Sequence, residues 1–555
     1  MDDGRGSASL ETASESGEPG TETQRSPFEK LIEIGIALSA ERNRDRLLET
    51  ILVEAKAITN ADGGTLYLRT DDDHLKFAIM RTTSLGIAMG GTTGKPIPFP
   101  ALPLKDPESG EDNNKNIATY VALAGETINI PDAYETQQFD FSGTKKFDSG
   151  SGYRSKSILT VPLKNYEGNV IGVLQLLNAR DRRTAEVIPF PRQIESIVEA
   201  LASQAAVALD NQQLLDGQKE LLESFIKLIA YAIDRKSRYT GGHCERVPIL
   251  TEMLAAAACR SETGPFKDFQ LNDDEWYELR IAGWMHDCGK VTTPEYVMDK
   301  ATKLETIYDR IETVKARFEV AKRDREIEYL KALAEQGSDP QALKADLDRD
   351  IKQITDDAAF IERINSGSEW MPDDQVDRLE RIKQYMWRNP DGETVPLLTE
   401  NEAYNLEIRR GTLNAEERQA INDHIVVTIE MLETLPFPKN LKRVPEYAGG
   451  HHEKMDGTGY PKGLTRDQLS VPARMMAIAD IFEALTAADR PYKKPKPLSE
   501  SVGILKKMAE ENHIDTELFE LFVASEVHKE YAERFLAPEQ NDEVYINAML
   551  GAAAE

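Results

Sequence analysis

From about Pro191 to Ile233 apolar residues recur mostly at three- and four-residue steps: Ile194, Val198, Leu201, Ala205, Ala208, Leu215, Leu222, Ile226 and Ile229. That period describes one long helix, and it divides the chain into an N-terminal and a C-terminal part. At 555 residues the chain is also too long for one hydrophobic core. Two domains joined by a helix are therefore expected. The apolar stripe suits a parallel helix that pairs with a second copy as a coiled coil; a helix packed on its own domain would carry the same pattern. A homodimer is expected.

The part before the long helix mixes periods. Residues 1–26 are rich in Ser, Gly, Glu and Thr and read as a disordered tail. Phe28 to Ile58 has helical spacing (Leu31, Ile34, Leu38, then Leu47, Ile51, Ala55), and strand-like runs come next at Thr65–Arg69, Ser157–Leu163 and Val170–Leu177. The last two flank a Gly-containing turn at 164–169 and predict a β-hairpin. These elements predict an α/β domain over 27–211, with 212–236 as a linking helix and 237–555 as a helical domain. Within that domain a charged segment, about 304–410, stands apart. Its stripes (Leu304, Ile307, Ile311, Val314, Phe318; Leu343, Leu347, Ile351, Ile354) predict a helical hairpin, broken at Gly337-Ser338-Asp339-Pro340, then a helix near Val376–Met386. Asp339 is placed to cap the second helix and Pro340 to open it.

Composition narrows the function classes. No apolar run approaches the ~20 residues of a membrane span, and the acidic N-terminus lacks the basic start of a signal peptide. A cytoplasmic protein with no membrane partner is expected. The three cysteines, Cys244, Cys259 and Cys288, have neither metal-ligand nor disulfide spacing. The net charge of −29 argues against a nucleic-acid polymer as partner. A small anionic ligand is still admissible where metal ions or a few Arg and Lys supply positive charge.

Five of the eight histidines stand in informative places: His243, His286, His424, His451 and His452. His286 is followed directly by Asp287 in Trp284-Met285-His286-Asp287-Cys288-Gly289-Lys290. His451 and His452 lie in Gly449-Gly450-His451-His452-Glu453-Lys454-Met455-Asp456-Gly457-Thr458-Gly459-Tyr460-Pro461. Imidazole with carboxylate makes a mixed nitrogen and oxygen donor set. Such a set suits iron, manganese or another first-row metal better than magnesium or calcium.

The stretch His286–Lys290 resembles the HD phosphohydrolase signature, and His451–Pro461 resembles the extended signature of the HD-GYP subfamily. The resemblance continues through Gly463-Leu464 and Ala473–Thr486, and ends at Asp489-Arg490-Pro491-Tyr492-Lys493. It covers roughly 237–304 and 412–506, with the charged segment inserted between. It implies a multidomain chain whose second part is an all-α, HD-type, metal-dependent domain cleaving the bacterial second messenger cyclic di-GMP to the linear dinucleotide, or onward to GMP. It further implies that His243, His286, Asp287 and Asp480 surround one of two divalent metal ions, iron or manganese. His424, His451 and His452 hold the second, and Asp287 bridges. Asp287 and Lys290 are the implied catalytic pair, with Arg490 and Lys493 on substrate phosphate or guanine. Glu453 is either a partner of a ligand histidine or a structural group, and Asp456 and Tyr460 shape the loop.

Three departures stand out. Tyr239 occupies the position where some members carry a Glu for a third metal. Cys288 replaces an aliphatic residue, as a small buried hydrophobe or an oxidation-sensitive thiol. The insertion is unusual and could shield or gate the pocket. The N-terminal part resembles a GAF domain, most clearly at Lys145-Lys146-Phe147-Asp148, Gly152-Tyr153 and Ser157–Asn178. That implies a sensory domain which either binds a small molecule or serves as a dimer scaffold. Two alternatives to cyclic di-GMP hydrolysis stay open: an HD-fold phosphohydrolase acting on another cyclic dinucleotide, and a non-catalytic cyclic-dinucleotide receptor.

Overall fold

The computed structural model describes residues 27–236, 242–335, 339–488 and 495–550. The expected tail at 1–26, the break at Gly337 and Ser338, and the residues Tyr239, Arg490 and Lys493 lie outside them. Two compact units divide between Glu220 and Leu221.

In the first unit, helices α1 (Pro27–Ala40) and α2 (Arg44–Thr59) precede strand β1 (Ala61–Arg69). Asn43 caps α2 by accepting from the Arg46 N–H, and Asn60 ends it in the left-handed region. Strands β2 (His74–Thr82), β3 (Ile87–Gly90), β4 (Leu102–Pro103), β5 (Ile128–Ile130), β6 (Ile158–Lys164), β7 (Val170–Arg180) and β8 (Val187–Ile188) complete one sheet. Its order is β3-β2-β1-β7-β6-β5, with β4 on β2 and β8 on β7, and every pairing is antiparallel. The predicted hairpin is β6–β7. Its turn places Gly168 at φ +83°, while the Asn165 carboxamide accepts from the Glu167 and Asn169 N–H groups.

Alternation along β1 sends neighbours to opposite faces. Leu66 joins Leu48, Ile51, Leu52 and Ala55 of α2 under the long helix, whereas Tyr67 joins Leu75, Val173 and Val121 on the other side. There α3 (Ile117–Ala124) and α4 (Ser142–Ser151) lie beside a cavity of about 280 Å³, lined by Phe77, Phe99, Phe147, Tyr153 and Gln175 among others.

Helix α5 runs unbroken from Arg192 to Lys236. Val198, Leu201, Ala205 and Leu209 are buried in the first unit's core, and Ile226, Ala230 and Ile233 in the second's. Leu215, Leu222 and Ile229 of the stripe are exposed, and so are their neighbours Phe225 and Leu228. The second unit gathers α6 (His243–Cys259), α7 (Asp273–Met285) and the helices His424–Glu433, Val444–Gly449 and Val471–Thr486 around one apolar cluster.

The insertion has its own core of Leu304, Val314, Phe318, Phe360, Ile361, Leu379 and Leu406. Its helices are Ile311–Ala334 and Pro340–Asn365, the latter capped by Asp339 with Pro340 at its start. A third helix, Asp373–Ile382, precedes a short hairpin of Met386–Arg388 with Thr394–Pro396. Helical periodicity does not foresee that hairpin; its signal is the intervening Asn389-Pro390-Asp391-Gly392 turn. Ile307, expected in the apolar stripe, is 95% exposed instead, because the helix begins after it.

Candidate metal centre

Six elements converge on one buried point. His243 is the first residue of α6, His286 follows the end of α7, and Asp287 precedes the short 3-10 turn Cys288–Thr292. His424 begins its helix, His451 and His452 follow Val444–Gly449, and Asp480 sits inside Val471–Thr486. The ligand-capable atoms fall into two groups, His243, His286, Asp287 and Asp480 in one and His424, His451 and His452 in the other. Within each group all lie within 4.8 Å of one another.

Asp287 faces both groups. Its Oδ2 is 3.2 Å from His243 Nε2 and 3.3 Å from His286 Nε2, and its Oδ1 is 3.2 Å from His424 Nε2. Asp480 Oδ1 is 3.2 Å from His243 Nε2 and 3.8 Å from His286 Nε2.

The fit to a cation can be tested on the other ring nitrogens. His286 Nδ1 is 2.7 Å from the Gly283 carbonyl, His424 Nδ1 2.5 Å from Ile421 and His451 Nδ1 2.6 Å from Ala448. A carbonyl only accepts, so each Nδ1 carries a proton, and whenever the ring is neutral its Nε2 lone pair points to the centre. Pairs of Nε2 atoms then face one another, His243 with His286 at 3.4 Å and His424 with His452 at 3.2 Å. Lone pairs at that distance repel unless a proton or a cation lies between them. Among the described residues His451 Nε2 and Asp287 Oδ1 are buried with no hydrogen-bond partner, a costly arrangement that a bound cation removes.

Ionisation follows the same division. Burial pushes the Asp287 carboxyl up, but Lys290, His286 and His243 together hold it well below the usual carboxylate range. Burial disfavours the charged form of His286, yet Asp287 outweighs it and raises the ring to about 9. Burial, reinforced by neighbouring histidines, pushes His451 well down and His452 down to about 4. His451 and His452 thus offer neutral imidazoles, as metal ligation requires.

Lys290 lies on the turn after Asp287, and its ammonium donates to Asp287 Oδ2. Tyr460 stacks on His452, with ring centroids 4.9 Å apart and planes at 19°. Glu453 is buried and accepts from the Lys462 and Leu464 N–H groups at 2.7 and 2.9 Å; it shapes the loop. Asp456 accepts from the Thr458 N–H and hydroxyl. Cys288 is buried, and burial pushes its thiol up to about 11, opposite to what a reactive thiolate needs.

Motif reasoning misses one residue, Glu483. It accepts from His243 Nδ1 through Oε2 and from Arg246 Nε and Nη2 at 2.7 and 2.6 Å through Oε1. It turns the Nε2 of His243 toward Asp287 and Asp480. Its signal in the sequence is its place one helical turn after Asp480, facing the same neighbour. Replacing Glu483 with Gln should weaken metal retention at the His243 group by about 10- to 100-fold. Equilibrium dialysis against a chelator reads this without an activity assay, and retention equal to wild type would count against the role.

The HD domain family matches residues 399–518, and the GAF domain family matches residues 43–209. His243, His286 and Asp287 precede the first of these matches, across the insertion. The 3'3'-cGAMP-specific phosphodiesterase 3 of Vibrio cholerae is 41% identical over 97 residues, 18% of this chain and 20% of that protein. A cyclic di-GMP phosphodiesterase of Pseudomonas aeruginosa is 49% identical over 74 residues, 13% of this chain and 17% of its own. The chain spans about a fifth of the length of these curated relatives. The GAF domain of an Acinetobacter phosphoenolpyruvate-protein phosphotransferase aligns over 34% of this chain and 97% of that structure, at 15% identity and a TM-score of 0.25.

Proposed function

We propose that this chain, a GAF domain followed by an HD domain, is a metal-dependent phosphodiesterase of the HD-GYP kind that hydrolyses cyclic di-GMP to the linear dinucleotide and/or GMP. The observation that carries the reading is Asp287, whose two oxygens face two separate histidine groups with Lys290 on the same turn. Two divalent ions, iron or manganese by the donor set, would supply there a water acidic enough to act at neutral pH and would offset charge on the phosphate. The chain's own residues do the positioning. Asp287 presents one oxygen to each group, and backbone carbonyls hold three imidazoles in one tautomer. Lys290 sets a fixed cation beside the place where phosphoryl charge develops. Arg490 and Lys493 are assigned to substrate phosphate or guanine from their motif alone.

The relatives' names divide between cyclic di-GMP and 3'3'-cGAMP, so the second dinucleotide is the competing substrate. A non-catalytic receptor would have no use for a complete ligand set with Lys290 beside it. The test is protein loaded with Fe(II) or Mn(II), offered cyclic di-GMP, 3'3'-cGAMP and cyclic di-AMP, with products separated by chromatography. Cyclic di-GMP should be consumed fastest, at about two metal ions per chain. Preferential loss of 3'3'-cGAMP selects the competing substrate, and no turnover of any dinucleotide by loaded protein leaves the receptor.

Control by the GAF domain belongs to the same proposal. Its aromatic-lined cavity suits a small molecule, and α5 leads from that domain to the metal centre's unit without a break. The exposed Leu215, Leu221, Phe225 and Leu228 on α5 support a homodimer formed along that helix. A cytoplasmic location is proposed with it; among the described residues no helix is long and apolar enough to cross a membrane.

A further inference from the structure

The 3-10 turn Cys288–Thr292 carries the Lys290 side chain toward Asp287, and it is held from two directions. On one side the Gly289 N–H donates to the Thr428 hydroxyl at 2.9 Å, on the helix that begins with His424. On the other side stands Lys236, the last residue of α5. Its ammonium donates to three backbone carbonyls: Lys290 at 3.1 Å, Val291 at 2.5 Å and Thr293 at 2.6 Å. Lys290 and Val291 lie in the turn and Thr293 directly after it, at its C-terminal end; the Lys290 carbonyl also accepts from the Thr293 N–H at 3.2 Å. A cation there meets both the hydrogen-bonding capacity and the dipoles of these carbonyls. All three donors of the ammonium are used on one short segment.

The same helix end also reaches the other flank of the centre. Asp234, 8% exposed, accepts from the Gly242 N–H at 3.0 Å and lies 3.5 Å from the Cys244 N. Those two residues bracket His243. Two polar side chains on the last turn of α5 thus grip the backbone beside His243 and the backbone that carries Lys290, while Ile226, Ala230 and Ile233 are buried in the apolar cluster. An apolar contact can slide by fractions of an ångström at little cost. Three charge-assisted hydrogen bonds to one turn resist sliding more strongly, because they are directional.

We propose that Lys236 is a positioning residue for Lys290: it fastens the end of α5 to the turn that places the Lys290 ammonium, so that displacement of α5 moves that ammonium relative to Asp287. The inference rests on the proposed hydrolysis for its catalytic consequence, and on the three carbonyl contacts alone for its structural part. Lys236 acts through the backbone of Lys290, Val291 and Thr293, with no role as a metal ligand or a substrate contact.

The experiment uses the full-length, metal-loaded protein and the substitutions Lys236→Met and Lys236→Arg. Methionine keeps the length of the stem and loses the donors; arginine keeps donors that suit carbonyls. In K236M, amide hydrogen exchange across 288–294 should rise by about tenfold or more, with exchange in α7 and in Val471–Thr486 unchanged. Metal content should stay at the wild-type value. Turnover of the cyclic dinucleotide should fall about tenfold with KM within about twofold, the pattern of a lost interaction in the reaction step rather than in binding. K236R should recover most of both changes. Unaltered exchange at 288–294 in K236M overturns the clamp, as does an Arg variant no better than Met. If wild-type protein hydrolyses no cyclic dinucleotide, the proposed function fails, while exchange and its rescue by arginine still decide whether Lys236 holds the turn.

Discussion

Replacing Asp287 with Ala should lower turnover of the cyclic dinucleotide by more than about 10³-fold, the scale seen when one member of a jointly acting set is removed. Both carboxylate oxygens are committed: Oδ2 toward His243, His286 and Lys290, and Oδ1 toward His424. Asp480 approaches His243 and His286, both members of the first group, so it cannot stand in for a carboxylate that serves both groups at once. Metal content should therefore drop in the same variant, and Asp287→Asn, which keeps the shape and loses the charge, should behave nearly as badly. Circular dichroism and the thermal midpoint separate this from unfolding, since the apolar cluster around the site does not include Asp287. Substantial turnover by metal-replete D287A protein would sink the enzymatic reading.

Gly289→Ala should also be damaging, for a different reason. A Cβ at Gly289 would lie 1.9 Å from the His424 carbonyl oxygen, 2.6 Å from the Thr428 nitrogen and 2.8 Å from its hydroxyl. The nearest two atoms are backbone of the helix His424–Glu433, so no rotamer change relieves the overlap. Either the turn retreats or the helix does, and both movements separate Asp287 from His424. Overpacking costs about 1–3 kcal/mol even where side chains can adjust, and here the obstacle is backbone. The second unit should lose at least about 2 kcal/mol of stability in denaturant titration, and activity should fall about 100-fold through misplacement. Gly503→Ala is the control: among the described residues nothing lies within 4 Å of its Cβ position, and in the helix Leu498–Glu510 alanine should stabilise by about 0.5–1 kcal/mol. A G289A protein as stable and active as wild type would show that the close approach of turn and helix is not required.

Much of this architecture is legible in the linear chain because it rests on local patterns. Strand alternation and a Gly-containing turn announce the β6–β7 hairpin, Asp339 and Pro340 announce the start of a helix, and a long apolar period announces α5. The residues of the candidate metal centre are legible too, because His-Asp and His-His pairs in those settings carry their chemistry in their identity. The insertion's short hairpin escapes periodicity since each strand has three residues, too few for a period to show. The apolar stripe of α5 also reads as one feature, whereas packing divides it: Ile226 is buried and Leu215, Leu222 and Ile229 are exposed.

What the sequence by itself determined is the set of chemical groups and the elements that carry them. Only the tertiary structure decided how those groups face one another. His243 and Glu483 are 240 positions apart and share a hydrogen bond; Asp287 meets His424 across the whole insertion; and Lys236 closes on carbonyls more than fifty residues away. Periodicity reports which face of a helix is apolar, not where along a neighbour it comes to rest. That resting place is set by side-chain volumes summed over the whole core. The two aims of Asp287, the orientation of His243 by Glu483 and the grip of Lys236 on the Lys290 turn are therefore properties of the packed unit, although every residue involved is plain in the sequence.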